Sequence, residues 1–130
     1  MIDKELIPTI PTEQASNPEQ EYAEPEEEQV GDDEITPAQL KALIESNGDE
    51  LLLLDVRFAD EHAQRRIDFE RQLLIPLPEL ENRIEELEPY RDKMIVAYCR
   101  SGGRSATATQ LLRARGFNVK NLRGGIVAWQ

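Results

Sequence analysis

Four consecutive leucines, Leu51-Leu52-Leu53-Leu54, closed by Asp55, leave this chain few folds to choose from. A strand turns successive side chains to opposite faces, so an unbroken apolar run of strand length needs cover on both sides. That pattern belongs to a strand inside a parallel sheet with helices above and below it. Met94-Ile95-Val96-Ala97-Tyr98 repeats it.

Helical patterns separate the runs. Thr36-Pro37-Ala38-Gln39 has a threonine N-cap, a proline at the first helical position and a glutamine three residues after the cap, which is a capping box. Leu40, Leu43 and Ile44 extend it as a stripe, and Gly48 stops it. Ala59 to Arg66 predicts a short helix, and Leu73-Leu74-Ile75 a short strand. Pro78 opens a helix with Leu80, Ile84 and Leu87 on one side, ending near Pro89. Another helix runs from Arg104 to about Arg115, with Leu111 and Leu112 inward and Gly116 as its stop. Phe117 to Leu122 is a fourth strand, and Gly124-Gly125 turns into a last segment with Ile126 and Trp129. Strands alternating with helices predict an α/β domain: a mainly parallel central sheet flanked by helices in three layers.

The net charge of −11 is local. Residues 1–36 hold twelve acids and one base, whereas residues 37–130 hold fourteen of each. Residues 1–34 also carry four prolines and the run Glu26-Glu27-Glu28, with sparse, aperiodic apolar residues. Such a chain cannot bury enough surface to offset its ordering entropy, so this segment is expected to be a disordered tail or linker. The folded domain is expected over 35–130. An acidic segment repels phosphate and argues against nucleic acid. No apolar run approaches the roughly 20 residues needed to span a bilayer, so no membrane association is expected. Met1-Ile2-Asp3-Lys4-Glu5 has neither the basic nor the apolar part of a secretory leader. The single cysteine, Cys99, excludes an intrachain disulfide and suits a reducing compartment, expected to be the cytoplasm.

Cys99 follows the apolar strand at once, at the head of Cys99-Arg100-Ser101-Gly102-Gly103-Arg104-Ser105, and a helix comes next. In parallel α/β sheets, ligands bind beyond the carboxyl ends of the strands. Gly102 and Gly103 let the backbone curl so that successive N–H groups converge. The start of the following helix adds unpaired N–H groups and a positive dipole end. Arg100 and Arg104 add charge, and every contribution favours thiolate over thiol. A lone cysteine in another setting would be an inert, buried residue. The loop also has an upper size. Cysteine phosphatases and arsenate reductases place five residues between cysteine and arginine, and here there are four. The tighter cradle suits one sulfur bound to cysteine.

Four segments together resemble the rhodanese family: Asp55-Val56-Arg57, Ile75-Pro76-Leu77, the loop from Cys99 to Ser105, and Gly124-Gly125-Ile126-Val127-Ala128-Trp129. The resemblance implies a thiosulfate sulfurtransferase that carries sulfur as a Cys99 persulfide. It implies that backbone N–H groups of residues 100–104 stabilise that persulfide, that Arg100 and Arg104 orient an anionic donor, and that Ser101 and Ser105 donate hydrogen bonds or, for Ser105, cap the helix. It gives Asp55 and Arg57 a structural role near the site. It implies no metal and no organic cofactor. The partners implied are a small anionic sulfur donor and an external acceptor: a thiol, cyanide, a thioredoxin-like protein or a sulfur carrier. With one cysteine, no second thiol of the chain can resolve the persulfide.

The chain departs from the family at 65–71. Arg65-Arg66 stand where the family has Gly-His, Asp68-Phe69-Glu70-Arg71 replace its Pro-Gly-Ala stretch, and the spacing to Ile75 is two residues longer. His62 reads as a surface helix residue, and Arg65, Arg66 and Arg71 as a solvated charged face. This altered segment supports a second reading, a catalytically weak rhodanese-like binding or regulatory module. A phosphatase is the third, disfavoured by loop length.

Overall fold

The computed structural model describes residues 31–130. The tail or linker expected over 1–34 lies outside them except for its last four residues.

Five strands form one wholly parallel sheet: β1 (Glu34–Ile35), β2 (Leu51–Asp55), β3 (Gln72–Leu74), β4 (Met94–Tyr98) and β5 (Val119–Leu122), in the order β1-β5-β4-β2-β3. Among the described residues, three α-helices accompany them: α1 (Pro37–Asn47), α2 (Ala59–Gln64) and α3 (Gly103–Ala114). The chain is α/β, a sheet between helical layers, as its apolar runs require. Leu52, Leu54, Ile95 and Ala97 pack on one face with Leu112 of α3, Leu80 and Leu87. Leu51, Leu53, Val96 and Tyr98 pack on the other with Leu40 of α1, Ile67 and Ile126. Burying each leucine contributes about 1.5–3 kcal/mol relative to exposure.

The capping box forms: Gln39 N–H donates to Thr36 Oγ1 at 3.1 Å, and Thr36 N–H to Gln39 Oε1 at 3.0 Å. Among the described residues, no helix is long and apolar enough to cross a membrane.

The structure corrects four expectations. A strand that the sequence did not predict, β1, precedes α1, and its Glu34 and Ile35 pair with Asn121 and Leu122. The helix expected from Pro78 is two 3-10 helices, Leu77–Glu79 and Glu81–Tyr90, because Arg83 leaves helical backbone geometry and Pro89 has no N–H to donate. The third strand starts at Gln72 and stops at Leu74, because Ile75-Pro76 turns away. The last begins at Val119 rather than Phe117, whose N–H goes instead to Leu112 O at the end of α3.

Register sets the site. Asp55 pairs with Tyr98 and Ala97 with Asn121. The carboxyl ends of β2, β4 and β5 therefore meet at one edge, with Cys99 one residue past the central strand.

Candidate active site

The sulfur of Cys99 sits on the floor of the loop between β4 and α3, with 1% of the residue exposed. Gly102 N–H donates to Sγ at 3.1 Å, Ser105 N–H at 3.4 Å, and the Ser105 hydroxyl lies 3.3 Å away. Burial pushes the Cys99 thiol up. The Ser105 hydroxyl, its amide and the amides of Gly102 and Ser101 outweigh that, so the thiol ionises below the ordinary range.

The two loop glycines are not equivalent. Gly102 has φ +116°, a left-handed turn that swings its N–H onto the sulfur, whereas Gly103 opens α3 with nothing within 4 Å of where a Cβ would stand. The curl assigned to both belongs to Gly102. The cradle on Sγ is also narrower than a run of amides over 100–104, since it draws on Ser101, Gly102 and Ser105.

A second glycine turn braces the loop from behind. Ile126 N–H donates to Cys99 O at 2.9 Å and Val127 N–H to Arg100 O at 3.1 Å. A Cβ on Gly125 would lie 2.4 Å from Arg100 O, so only glycine fits there. The sequence marked Gly124-Gly125 as a turn but held no sign that it touches Cys99.

The two arginines differ. Arg104 forms a two-pronged pair with Glu61 on α2, both bonds 2.9 Å. The Arg104 bond, followed by that from Phe58 N–H, holds the Glu61 carboxyl at about 2. The charge assigned to Arg104 for holding a donor is thus already matched. Arg100 is exposed and, among the described residues, makes no ion pair.

Beside the loop, Asp55 is fully buried at the end of β2. It accepts from Arg57 Nε at 2.9 Å, Arg57 Nη2 at 2.7 Å and the Arg57 N–H at 3.0 Å. Arg57 Nη2 also reaches Arg65 O at 2.6 Å, tying the end of β2 to the loop after α2. His62, expected on the surface, is only 21% exposed and sets Nδ1 2.8 Å from Asp55 Oδ2. Tyr98, buried beneath Arg57, is pushed up to about 12, first by burial and then by the Asp55 charge. Its hydroxyl bonds to Gln72 Oε1 and receives Ile67 N–H at 3.3 Å.

The charged face read at 65–71 is partly tied into the fold. Arg71 pairs with Asp49 and Glu70, and Arg65 donates to Trp129 O at 2.6 Å. His62, Arg66, Asp68, Phe69, Glu70 and Gln72 line an open cleft of about 550 Å³.

Asn121 on β5 is the site residue that the sequence did not mark. Its Oδ1 lies 2.5 Å from Ser105 Oγ, and its Nδ2 donates to Gly102 O at 3.3 Å. The available signal was one uncharged amide, next to Lys120, in the short strand Val119–Leu122.

Known proteins resemble this chain in sequence and fold. The sequence model of the rhodanese-like domain matches residues 36–130. A sulfurtransferase of Allochromatium vinosum is 44% identical over 85 residues, 62% of this chain and 73% of that one. YtwF of Bacillus subtilis is 37% identical over 97 residues, 75% of this chain and 89% of that one. The crystal structure of a rhodanese-related protein from Thermoplasma volcanium superposes with a TM-score of 0.65 and 33% identity, over 74% of this chain and 88% of that chain. The chain belongs to the rhodanese-like domain family, and its named relatives support sulfur transfer of the rhodanese type.

Proposed function

We propose that the chain is a sulfurtransferase that takes sulfane sulfur from thiosulfate or a persulfide onto Cys99 and hands it to an external acceptor. The observation that carries this reading is the convergence of the Gly102 amide, the Ser105 amide and the Ser105 hydroxyl on one sulfur. The two amides, fixed by the fold, stabilise negative charge there without reorganising.

The step balances without an outside oxidant. The Cys99 thiolate attacks the outer sulfur of thiosulfate, an S–S bond forms, and the bond to the sulfonate sulfur breaks with its electron pair. Sulfite leaves, and Cys99 holds a persulfide anion. An acceptor thiolate or cyanide then attacks the outer sulfur, and Cys99 departs as thiolate. The course is double displacement through a covalent intermediate. Ser101, exposed at the loop, and the amides of residues 100–104 stabilise the outer sulfur of the persulfide. Arg100, exposed and without an ion pair among the described residues, attracts the anionic donor, while Arg104, locked to Glu61, holds α2 against the loop. Asp55 and Arg57 are structural here, fixing the loops beside the sulfur.

The acceptor lies outside this chain, since Cys99 is its only thiol. A small thiol, a thioredoxin-like protein or a sulfur carrier meets that need. A free thiol nucleophile sets the reaction in a reducing compartment, the cytoplasm.

A thiosulfate:cyanide assay with mass spectrometry of Cys99 tests the reading. Wild type forms the persulfide and turns over, and Cys99→Ala loses more than about 10³-fold in kcat/KM. Equal turnover by Cys99→Ala, or no persulfide with any sulfane donor, overturns it. Stable capture of a partner by Cys99→Ser without wild-type turnover establishes the binding module instead.

A further inference from the structure

The Ser105 hydroxyl carries one proton and has three acceptors in reach: Asn121 Oδ1 at 2.5 Å, Cys99 Sγ at 3.3 Å and Gly102 O at 3.3 Å. Only the first distance is that of a strong O–H···O bond. The third is the ordinary alternative for a serine in the first turn of a helix, a bond back to the carbonyl three residues earlier. Asn121 Nδ2 occupies that carbonyl at 3.3 Å. The amide has one workable orientation, because turning it over would set Oδ1 against Gly102 O with no proton between the two oxygens. The side chain is held in place, being 7% exposed on a strand whose N–H also donates to Asp33 O at 2.8 Å.

From this geometry we infer that Asn121 is a positioning residue for the Cys99 sulfur, acting through the single proton of Ser105. With Cys99 as thiol, Ser105 gives its proton to Asn121 Oδ1 and presents a lone pair to the S–H. Once the sulfur is an anion, a charge-assisted bond outweighs a neutral one, and the hydroxyl turns to Sγ from a position Asn121 has already fixed. Without the amide, the freed Gly102 carbonyl draws the hydroxyl away. Asn121 also holds the peptide of Gly102, the residue whose N–H makes the shortest bond to the sulfur. The assignment deepens the proposed sulfur transfer and rests on it for its purpose. Its test needs no sulfur donor, so the two can fail separately.

The rate of Cys99 alkylation by iodoacetamide, followed against pH, reports the thiol–thiolate balance of the only cysteine. Asn121→Ala is expected to move the profile to higher pH, with about a tenfold loss of rate at neutral pH that alkaline pH restores. Ser105→Ala moves it the same way. In the Ser105→Ala background, Asn121→Ala moves it less than half as far, because the shared proton is gone. Asn121→Asp keeps the shape but turns the Gly102-facing donor into an acceptor, and is expected to displace the profile at least as far as Asn121→Ala. It serves also if the alanine variant does not fold. A profile that keeps its wild-type midpoint in the Asn121 variants overturns the assignment. So does an equal displacement with and without Ser105. A displaced profile in a protein that never forms a persulfide would sink the sulfur-transfer reading and leave the positioning role standing.

Discussion

Two neighbouring strands lead into an ionisable group, and the protein treats the two groups in opposite ways. At the end of β2, the Asp55 carboxylate meets a full charge, the Arg57 guanidinium, which clasps it by two bonds while the Arg57 N–H adds a third and His62 stands beside it. At the end of β4, the Cys99 sulfur meets dipoles: two amides and one hydroxyl. A buried carboxylate against a buried guanidinium is a fixed pair, because losing either charge strands the other. A sulfur held by dipoles can be thiol, thiolate or persulfide without leaving an unpaired charge behind. The charged site braces the loops, and the dipolar one is free to change.

The contrast breaks most visibly at Asp55. Asp55→Ala leaves Arg57 buried with no counter-charge and is expected to cost about 3–5 kcal/mol in chemical denaturation. A loss below about 1 kcal/mol would mean the pair does not brace the site.

The dipolar side is tested by the unequal glycines. Gly102→Ala forces a left-handed residue, costs about 1–3 kcal/mol and moves an amide off the sulfur. Thermal unfolding and Cys99 alkylation should both register it. Gly103→Ala, at an open helix start, should stay within about 0.5 kcal/mol of wild type. Similar losses in both would show that the loop curls in some other way.

The smallest effect lies where the two regions join, at Glu61 and Arg104. The Glu61 carboxyl falls from its usual 4.5 to about 2 in the folded chain. A depressed carboxylate stabilises the fold fully above its unfolded value, and that stability is lost as pH falls through the folded one. The gap between wild type and Glu61→Gln, on the order of 1 kcal/mol for a partly exposed pair, should therefore be full above pH 4.5 and gone near pH 2. A gap that persists unchanged to the acid limit contradicts the pairing.

Legibility in the sequence followed the same divide between local and distant causes. The unbroken leucine run named a doubly covered strand, and Thr36 with Gln39 named a capping box, because each signal lies within a few residues. Cys99 with Gly102 was readable as a curled loop for that reason. Glu61 and Arg104 stand 43 residues apart, and Ser105 and Asn121 16. Nothing local to either residue of those pairs declares its partner. β1 was missed because two residues carry no period. The strand register that brings Asn121 to the site is a property of the whole sheet, which emerges only after β1, β4 and β5 are paired.

The loop's dipoles favour the Cys99 thiolate over the thiol despite burial. Titration of the ultraviolet absorbance of the thiolate measures this directly, and with one cysteine the signal has one source. The midpoint is expected below that of a free cysteine thiol and moves upward in Ser105→Ala. A wild-type midpoint at or above the free-thiol value would contradict it.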